Sequence, residues 1–279
     1  MNQPQCHTRS FLYGDKKVSF NFWLSLEKNH NPDIVVFLGA GQVGSIPRWV
    51  ARSAGPGVIV VDGLPHWEAH PSGHDTAQFA TLYVQSAFEI IKKEFGLSEL
   101  NVIAESQAAL ATIILARMAP DQVRHMVLAR PVGFSVRAFG STDQERLRVF
   151  RRRILQTAFQ LIRHPRNLAI AMIMFRAMLR EPSLAALNKK YAVGISYDLL
   201  QDYKQVAESQ KRKGHSLVLL LGDKDRLFPS SEILAAFKAL QLDDTAIRIV
   251  PKIGHASFAT PSSKALLQQA IDIVREKET

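Results

Sequence analysis

The chain has a single cysteine, Cys6, in 279 residues. An intrachain disulfide framework is therefore excluded, and a chain that can bury roughly three-quarters of its unfolded surface needs none. Long apolar runs are also missing. The longest, Leu168 to Phe175, falls far short of the ~20 residues that span a bilayer. Met1–Ser10 is polar and has no apolar signal core, so a soluble, cytoplasmic protein is expected. Internal repeats and low-complexity linkers are absent. The residues present are 47% hydrophobic and 22% charged, which excludes a disordered or fibrous chain.

Charge is unevenly placed. The formal net charge is +10, and the stretch from Arg137 to Lys190 holds twelve basic residues against only Asp143, Glu145 and Glu181. The rest of the chain is close to neutral. This stretch reads as a unit with its own surface chemistry.

Short runs rich in Val, Ile and Leu recur at Asp33–Leu38, Gly57–Asp62, Asn101–Ala104, His125–Ala129, Leu217–Leu221 and Ile247–Val250. Continuous apolar runs of this kind suit strands covered on both faces. Helical patterns separate them, at Ile46–Ser53, Thr76–Phe95, Gln107–Met118, Ser230–Leu240 and Ser262–Lys277. A hairpin over Thr8–Ser25, turning at Gly14-Asp15, precedes them. Alternation of this sort predicts a mainly parallel, doubly wound α/β sheet. It stops at Pro131 and resumes at Leu217. The interval is helical in pattern, with a capping box at Thr142 and Glu145, breaks at Pro165 and Pro182, and a last helix over Ser196–Lys213. Residues 1–135 and 214–279 are thus expected to form the core domain, and 136–213 an inserted helical cap.

Four segments lie just past strand ends, the edge where open α/β sheets bind ligands. Ser106, in Ala104-Glu-Ser-Gln-Ala108, sits in a tight strand-to-helix turn that projects its hydroxyl above the sheet. The free N–H of Gln107 points to the same place. Small neighbours are needed at −2 and +2, and Ala104 and Ala108 supply them. Gly222-Asp-Lys-Asp225 follows the Leu217–Leu221 run, and Gly254-His255 follows the last strand. The fourth segment is Phe37-Leu-Gly-Ala-Gly-Gln42.

In this order and register the elbow, the GxxD loop and the GH pair resemble the α/β-hydrolase superfamily, of the helical-cap kind, over nearly the whole chain. The resemblance implies a serine hydrolase acting on a carboxylic ester, thioester or lactone. Ser106 would be the nucleophile, His255 the base and Asp225 the residue that orients the imidazole. The backbone N–H groups of Ala40 and Gln107 would form an oxyanion hole, with Gly41 able to replace Ala40. Leu38 stands where the family has histidine. Asp223, two residues before Asp225, is expected to bond backbone instead. Acyl transfer or carbon–carbon bond hydrolysis at the same residues, or a silent ligand- or membrane-binding member, are the alternatives.

His66, His70 and His74 are spaced like metal ligands, but Pro65, Pro71 and Gly73 break the helix that would align them, so no metal is expected. No cofactor is implied either. Trp49 and Trp67 are expected to shape the pocket. In the cap, the apolar block Leu168–Leu179 sits among arginines and is expected chiefly to pack the cap onto the sheet. Its methionines also suit an acyl or lipid-like substrate, and the basic surface suits peripheral contact with anionic lipid. Nucleic acid is not expected as a partner, because Phe150, Phe159 and Phe175 take apolar helical positions.

Overall fold

The computed structural model describes residues 3–24, 32–39, 42, 44–63, 76–162, 197–255, 258 and 260–277. Its first elements are the strands β1 (Gln5–Tyr13) and β2 (Lys16–Leu24), an antiparallel hairpin turning at Gly14, where φ is 61°. The hairpin begins three residues before the expected Thr8, because cross-strand pairing runs back to Gln5 opposite Leu24.

Strands and helices then alternate: β3 (Ile34–Phe37), α1 (Ser45–Ala54), β4 (Val58–Val61), α2 (Thr76–Phe95), β5 (Leu100–Glu105), α3 (Gln107–Met118) and β6 (Val123–Ala129). A short 3-10 turn (Val136–Phe139), α4 (Asp143–Ile162) and α5 (Leu200–Arg212) separate β6 from β7 (Leu217–Gly222). The chain closes with α6 (Ser230–Ala239), β8 (Ile247–Val250) and α7 (Pro261–Arg275).

The eight strands form one sheet in the order β1-β2-β4-β3-β5-β6-β7-β8. β3 to β8 are mutually parallel, and the hairpin joins them antiparallel through β2 and β4. Alternate residues of β3 feed two separate apolar layers. Val35 and Phe37 join a core with residues of α2, α3 and α5, while Ile34 and Val36 join one with residues of α1 and α7. All four are fully buried or nearly so, and each such side chain contributes about 1.5–3 kcal/mol. The double cover explains why these strands are continuous apolar runs rather than alternating ones.

Helix α4 starts with the capping box. Thr142 Oγ1 accepts the N–H of Glu145 at 3.2 Å, and Glu145 Oε2 accepts the N–H of Thr142 at 3.1 Å and of Ser141 at 2.9 Å. These bonds hold the Glu145 carboxyl below its usual range. Arg153, on the inner face of α4, forks onto both oxygens of Glu232 at 2.9 and 2.6 Å and donates to the Leu227 carbonyl at 3.1 Å. This ties α4 to the loop that follows β7. Phe150 is buried beside it, but Phe159 is 61% exposed, not apolar-packed as expected, because it falls one position beyond the buried Ala158 stripe.

Helix α5 starts at Leu200, not at Ser196, because the Asp198 carboxylate takes the N–H of Leu200 at 3.2 Å. Just before it, the Leu199 N–H donates to the Gly133 carbonyl at 2.9 Å. Gly133 has φ 92°, and a Cβ there would meet Leu199 Cβ at 3.0 Å and the Tyr197 carbonyl oxygen at 3.1 Å. Only glycine allows the two chains this approach. The apolar block Leu168–Leu179, together with Pro165 and Pro182, lies outside the described residues. No helix among the described residues is long and apolar enough to cross a membrane.

Candidate active site

The carboxyl edge of the parallel strands gathers the loops singled out from sequence. β5 ends at Glu105 and α3 begins at Gln107, so Ser106 alone makes the reversal. Its backbone has φ 54° and ψ −115°, a left-handed conformation that a residue with a Cβ adopts only under strain of about 1–3 kcal/mol. Three backbone bonds hold it there. The Ser106 N–H donates to the Ala129 carbonyl at 2.9 Å, and the Ser106 carbonyl accepts the N–H groups of Ala109 and Val132 at 3.2 and 3.3 Å. Ala104, Ala108 and Ala109 are buried around the turn.

His255 reaches Ser106 from the loop between β8 and α7. Its Nε2 lies 3.2 Å from Ser106 Oγ, and its Nδ1 lies 2.8 Å from Asp225 Oδ2. The Asp225 side chain is 2% exposed. Its second oxygen, Oδ1, accepts the N–H groups of Leu227 and Phe228, both at 2.9 Å. With Asp225 as a carboxylate, an acceptor only, Nδ1 must carry the imidazole proton and Nε2 presents its lone pair to the serine hydroxyl. The Phe228 ring leans on the imidazole at 5.3 Å between centroids. Asp223 plays the lesser part expected of it: its Oδ1 accepts the Ile253 N–H at 3.3 Å. Gly222 is required behind it, since a Cβ would fall 2.3 Å from the Ile253 carbonyl oxygen.

Gln107, the first residue of α3, has a backbone N–H with no carbonyl one turn earlier in its own helix. On the other side of Ser106 lies the loop after β3. Its Gly39 is closely packed: a Cβ would stand 3.0 Å from Gln42 Nε2 and 3.1 Å from Ser106 Cβ, so those neighbours would have to give by a few tenths of an ångström. The Gln42 N–H donates to the Gly39 carbonyl at 3.3 Å, and Gly63, after β4, donates its N–H to the Gln42 carbonyl at 2.9 Å. Ala40 and Gly41, the expected source of the second oxyanion donor, lie outside the described residues. So do His66, His70, His74, Trp67 and His164.

Among the remaining expectations, Trp49 projects from α1 and is 53% exposed. His125 accepts the Ser216 N–H on Nδ1 at 3.0 Å, and His215 bonds Gln210 at 3.1 Å, so both serve the packing of β6 and β7. Among the described residues no three His, Cys, Asp or Glu side chains converge as metal ligands. Sequence reasoning passed over Glu105 and Arg130, a buried ion pair next to Ser106, and the half-buried Gln42 that bonds to it. One signal was available: Arg130 is a charge set directly between a buried strand and a proline.

No protein-family model and no curated protein matches the chain. Solved structures do. An α/β hydrolase enzyme, MGS-M2, from a Medee basin deep-sea metagenome library matches 96% of this chain over 97% of its own, at 13% identity and a TM-score of 0.61. The 2-hydroxy-6-oxo-6-phenylhexa-2,4-dienoate hydrolase of a Rhodococcus strain matches 98% over 99%, at 16% identity and 0.59. Naproxen esterase from Bacillus subtilis matches 98% over 92%, at 14% identity and 0.60. The chain has the α/β-hydrolase fold, with the strand order, parallel sheet and helical insertion after β6 described above.

Proposed function

We propose that this protein is a serine hydrolase that cleaves a carboxylic ester, thioester or lactone through an acyl-enzyme on Ser106. One observation carries the reading: the continuous row from Ser106 Oγ to His255 Nε2 at 3.2 Å and from His255 Nδ1 to Asp225 Oδ2 at 2.8 Å. The esterase and hydrolases that share the fold support it. Ser106 Oγ attacks the acyl carbon while His255 Nε2 takes its proton, and Asp225 stabilises the imidazolium that results. His255 then protonates the leaving oxygen or sulfur, which departs. A water gives its proton to His255 and attacks the acyl carbon, and collapse returns the proton to Ser106 and releases the acid.

The charge that forms on the acyl oxygen would be met by the backbone N–H groups of Gln107 and Ala40. Each such donor lowers the barrier by about 3–4 kcal/mol where its removal has been measured. The steps use side chains, backbone and water alone. The helices of residues 136–213 act as a cap over the site in this reading. Exposed Arg148 and Arg152 on α4 fit an acyl or lipid-like substrate that carries an anionic group, and fit contact with anionic lipid.

A fluorophosphonate probe tests the central claim. Labelling on Ser106, located by peptide mass spectrometry and lost in Ser106→Ala and His255→Ala, is expected. A folded wild-type chain that never labels overturns it. A series of p-nitrophenyl esters tests the substrate class: kcat/KM that rises from acetate to longer acyl chains is expected, and a sharp preference for acetate or butyrate removes the lipid-like substrate.

A further inference from the structure

Two side chains of opposite charge lie buried beneath Ser106, and the steps above use neither. Glu105 ends β5 and precedes the serine, and Arg130 follows β6. Glu105 Oε1 accepts from Arg130 Nη2, and the two side chains are 3% and 0% exposed. Burying two charges is expensive, and apolar residues in their place are often as good for stability. Stability alone therefore does not explain the pair, whereas its outer contacts do.

The other Glu105 oxygen accepts Gln42 Nε2 at 2.9 Å. Gln42 closes the turn that begins at Gly39, beside Ser106. At the other end, Arg130 Nη1 donates to the Gly254 carbonyl at 3.2 Å and to Ser263 Oγ, in the first turn of α7, at 2.7 Å. Gly254 is the residue before His255. The Phe258 ring lies 5.3 Å from the guanidinium, and the Arg130 N–H is fixed to the Leu220 carbonyl at 2.8 Å. A single ionic bridge thus grips the loop after β3 with one hand and the His255 loop with the other, directly under the elbow.

We propose that Glu105 and Arg130 are positioning residues that set Gly39, Gln42 and His255 against Ser106 together. This rests on the reading of Ser106 as nucleophile. Neither residue touches substrate. Their effect is on alignment, where a displacement of about 1 Å can cost about 100-fold in rate.

The test uses the full chain, with p-nitrophenyl butyrate for kcat and KM, thermal melting, and the proton resonance of His255 Nδ1. In Gln42→Ala, kcat falls by about 10–100-fold with KM within about twofold, the pattern of an interaction used only in the transition state. Its melting temperature falls by only a few degrees, the cost of the one bond lost to the Glu105 carboxylate, and the chain stays folded at the assay temperature. Arg130→Lys keeps a positive charge beside Glu105 but loses the planar fork that reaches Gly254 and Ser263 together. Its kcat falls by about 100-fold, and the Nδ1 resonance broadens as the ring loosens.

Wild-type kcat in either variant overturns the proposal. So does a loss of rate that merely follows a lowered melting temperature. A wild-type chain that turns over no ester refutes the nucleophile reading separately. The Nδ1 resonance then decides the pair, and an identical resonance in wild type and Arg130→Lys overturns it.

Discussion

Asp225 divides its carboxylate between two kinds of partner: Oδ2 faces His255 Nδ1 at 2.8 Å, while Oδ1 holds the N–H groups of Leu227 and Phe228 at 2.9 Å. The backbone bonds fix which oxygen is left for the imidazole. They also separate the loop's stability from its chemistry.

Asp225→Asn exploits that separation. The amide oxygen keeps the two backbone bonds and the amide nitrogen turns to His255, which forces the ring proton onto Nε2, opposite Ser106. Ester hydrolysis should fall by about 10⁴-fold while the melting temperature changes little. Steady-state kinetics beside a thermal melt check this, and a variant with near wild-type kcat would be the contrary result.

Ser106 occupies a conformation that suits glycine, with φ 54°. Ser106→Gly should therefore be inactive and yet more stable, by about 1 kcal/mol, once the strain relieved is set against glycine's greater freedom in the unfolded chain. Ser106→Ala keeps the Cβ and should show no such gain. Chemical denaturation of the three chains compares them directly.

Gly63 packs so closely on the turn after β3 that a Cβ would stand 2.0 Å from the Gly39 carbonyl oxygen and 2.8 Å from the Gln42 nitrogen. Both are backbone atoms, so Gly63→Ala has to displace the turn that borders Ser106. Stability should drop by about 1–3 kcal/mol and kcat by about 100-fold. Unchanged turnover in a variant that melts normally would show that this turn plays no part in catalysis.

Asp62, at the end of β4, is pushed up to about 6 by burial, against the lowering effect of its bond from Asn21 Nδ2 at 2.8 Å. Between the ordinary carboxyl value and 6 the folded chain holds a proton that the unfolded chain has released. Stability from this group is complete in acid and is lost as pH rises through 6. Asp62→Asn, which can still accept from Asn21, should match wild type near pH 4 and exceed it by about 1–2 kcal/mol at pH 8. Urea unfolding at the two pH values measures the difference.

The sheet was legible because its physics is local. Ile34–Phe37 and Leu217–Gly222 are buried on both faces, and such strands must be apolar at every position. Ser106, Asp225 and His255 were legible for a related reason: parallel strands end on one edge, so residues just past them converge. The Glu105–Arg130 bridge left no such trace. It joins the ends of neighbouring strands at the third dimension's convenience, and no spacing in the chain announces it. The ends of α5 and the hairpin were missed by a few residues, because one carboxylate, Asp198, and one extra stretch of ladder at Gln5 decided them.

The bond between Leu199 and Gly133 brings the start and finish of the intervening helices within reach of one another, on a sheet whose eight strands pair without them. Such an excursion is a cassette. The residues between α4 and α5 can be lengthened, shortened or replaced during evolution, or exchanged at the bench, whereas α4 and α5 must stay, because Phe150, Ile154, Tyr203 and Val206 belong to the core. In the reading of residues 136–213 as a cap, selectivity and chemistry would thereby be free to change at different rates.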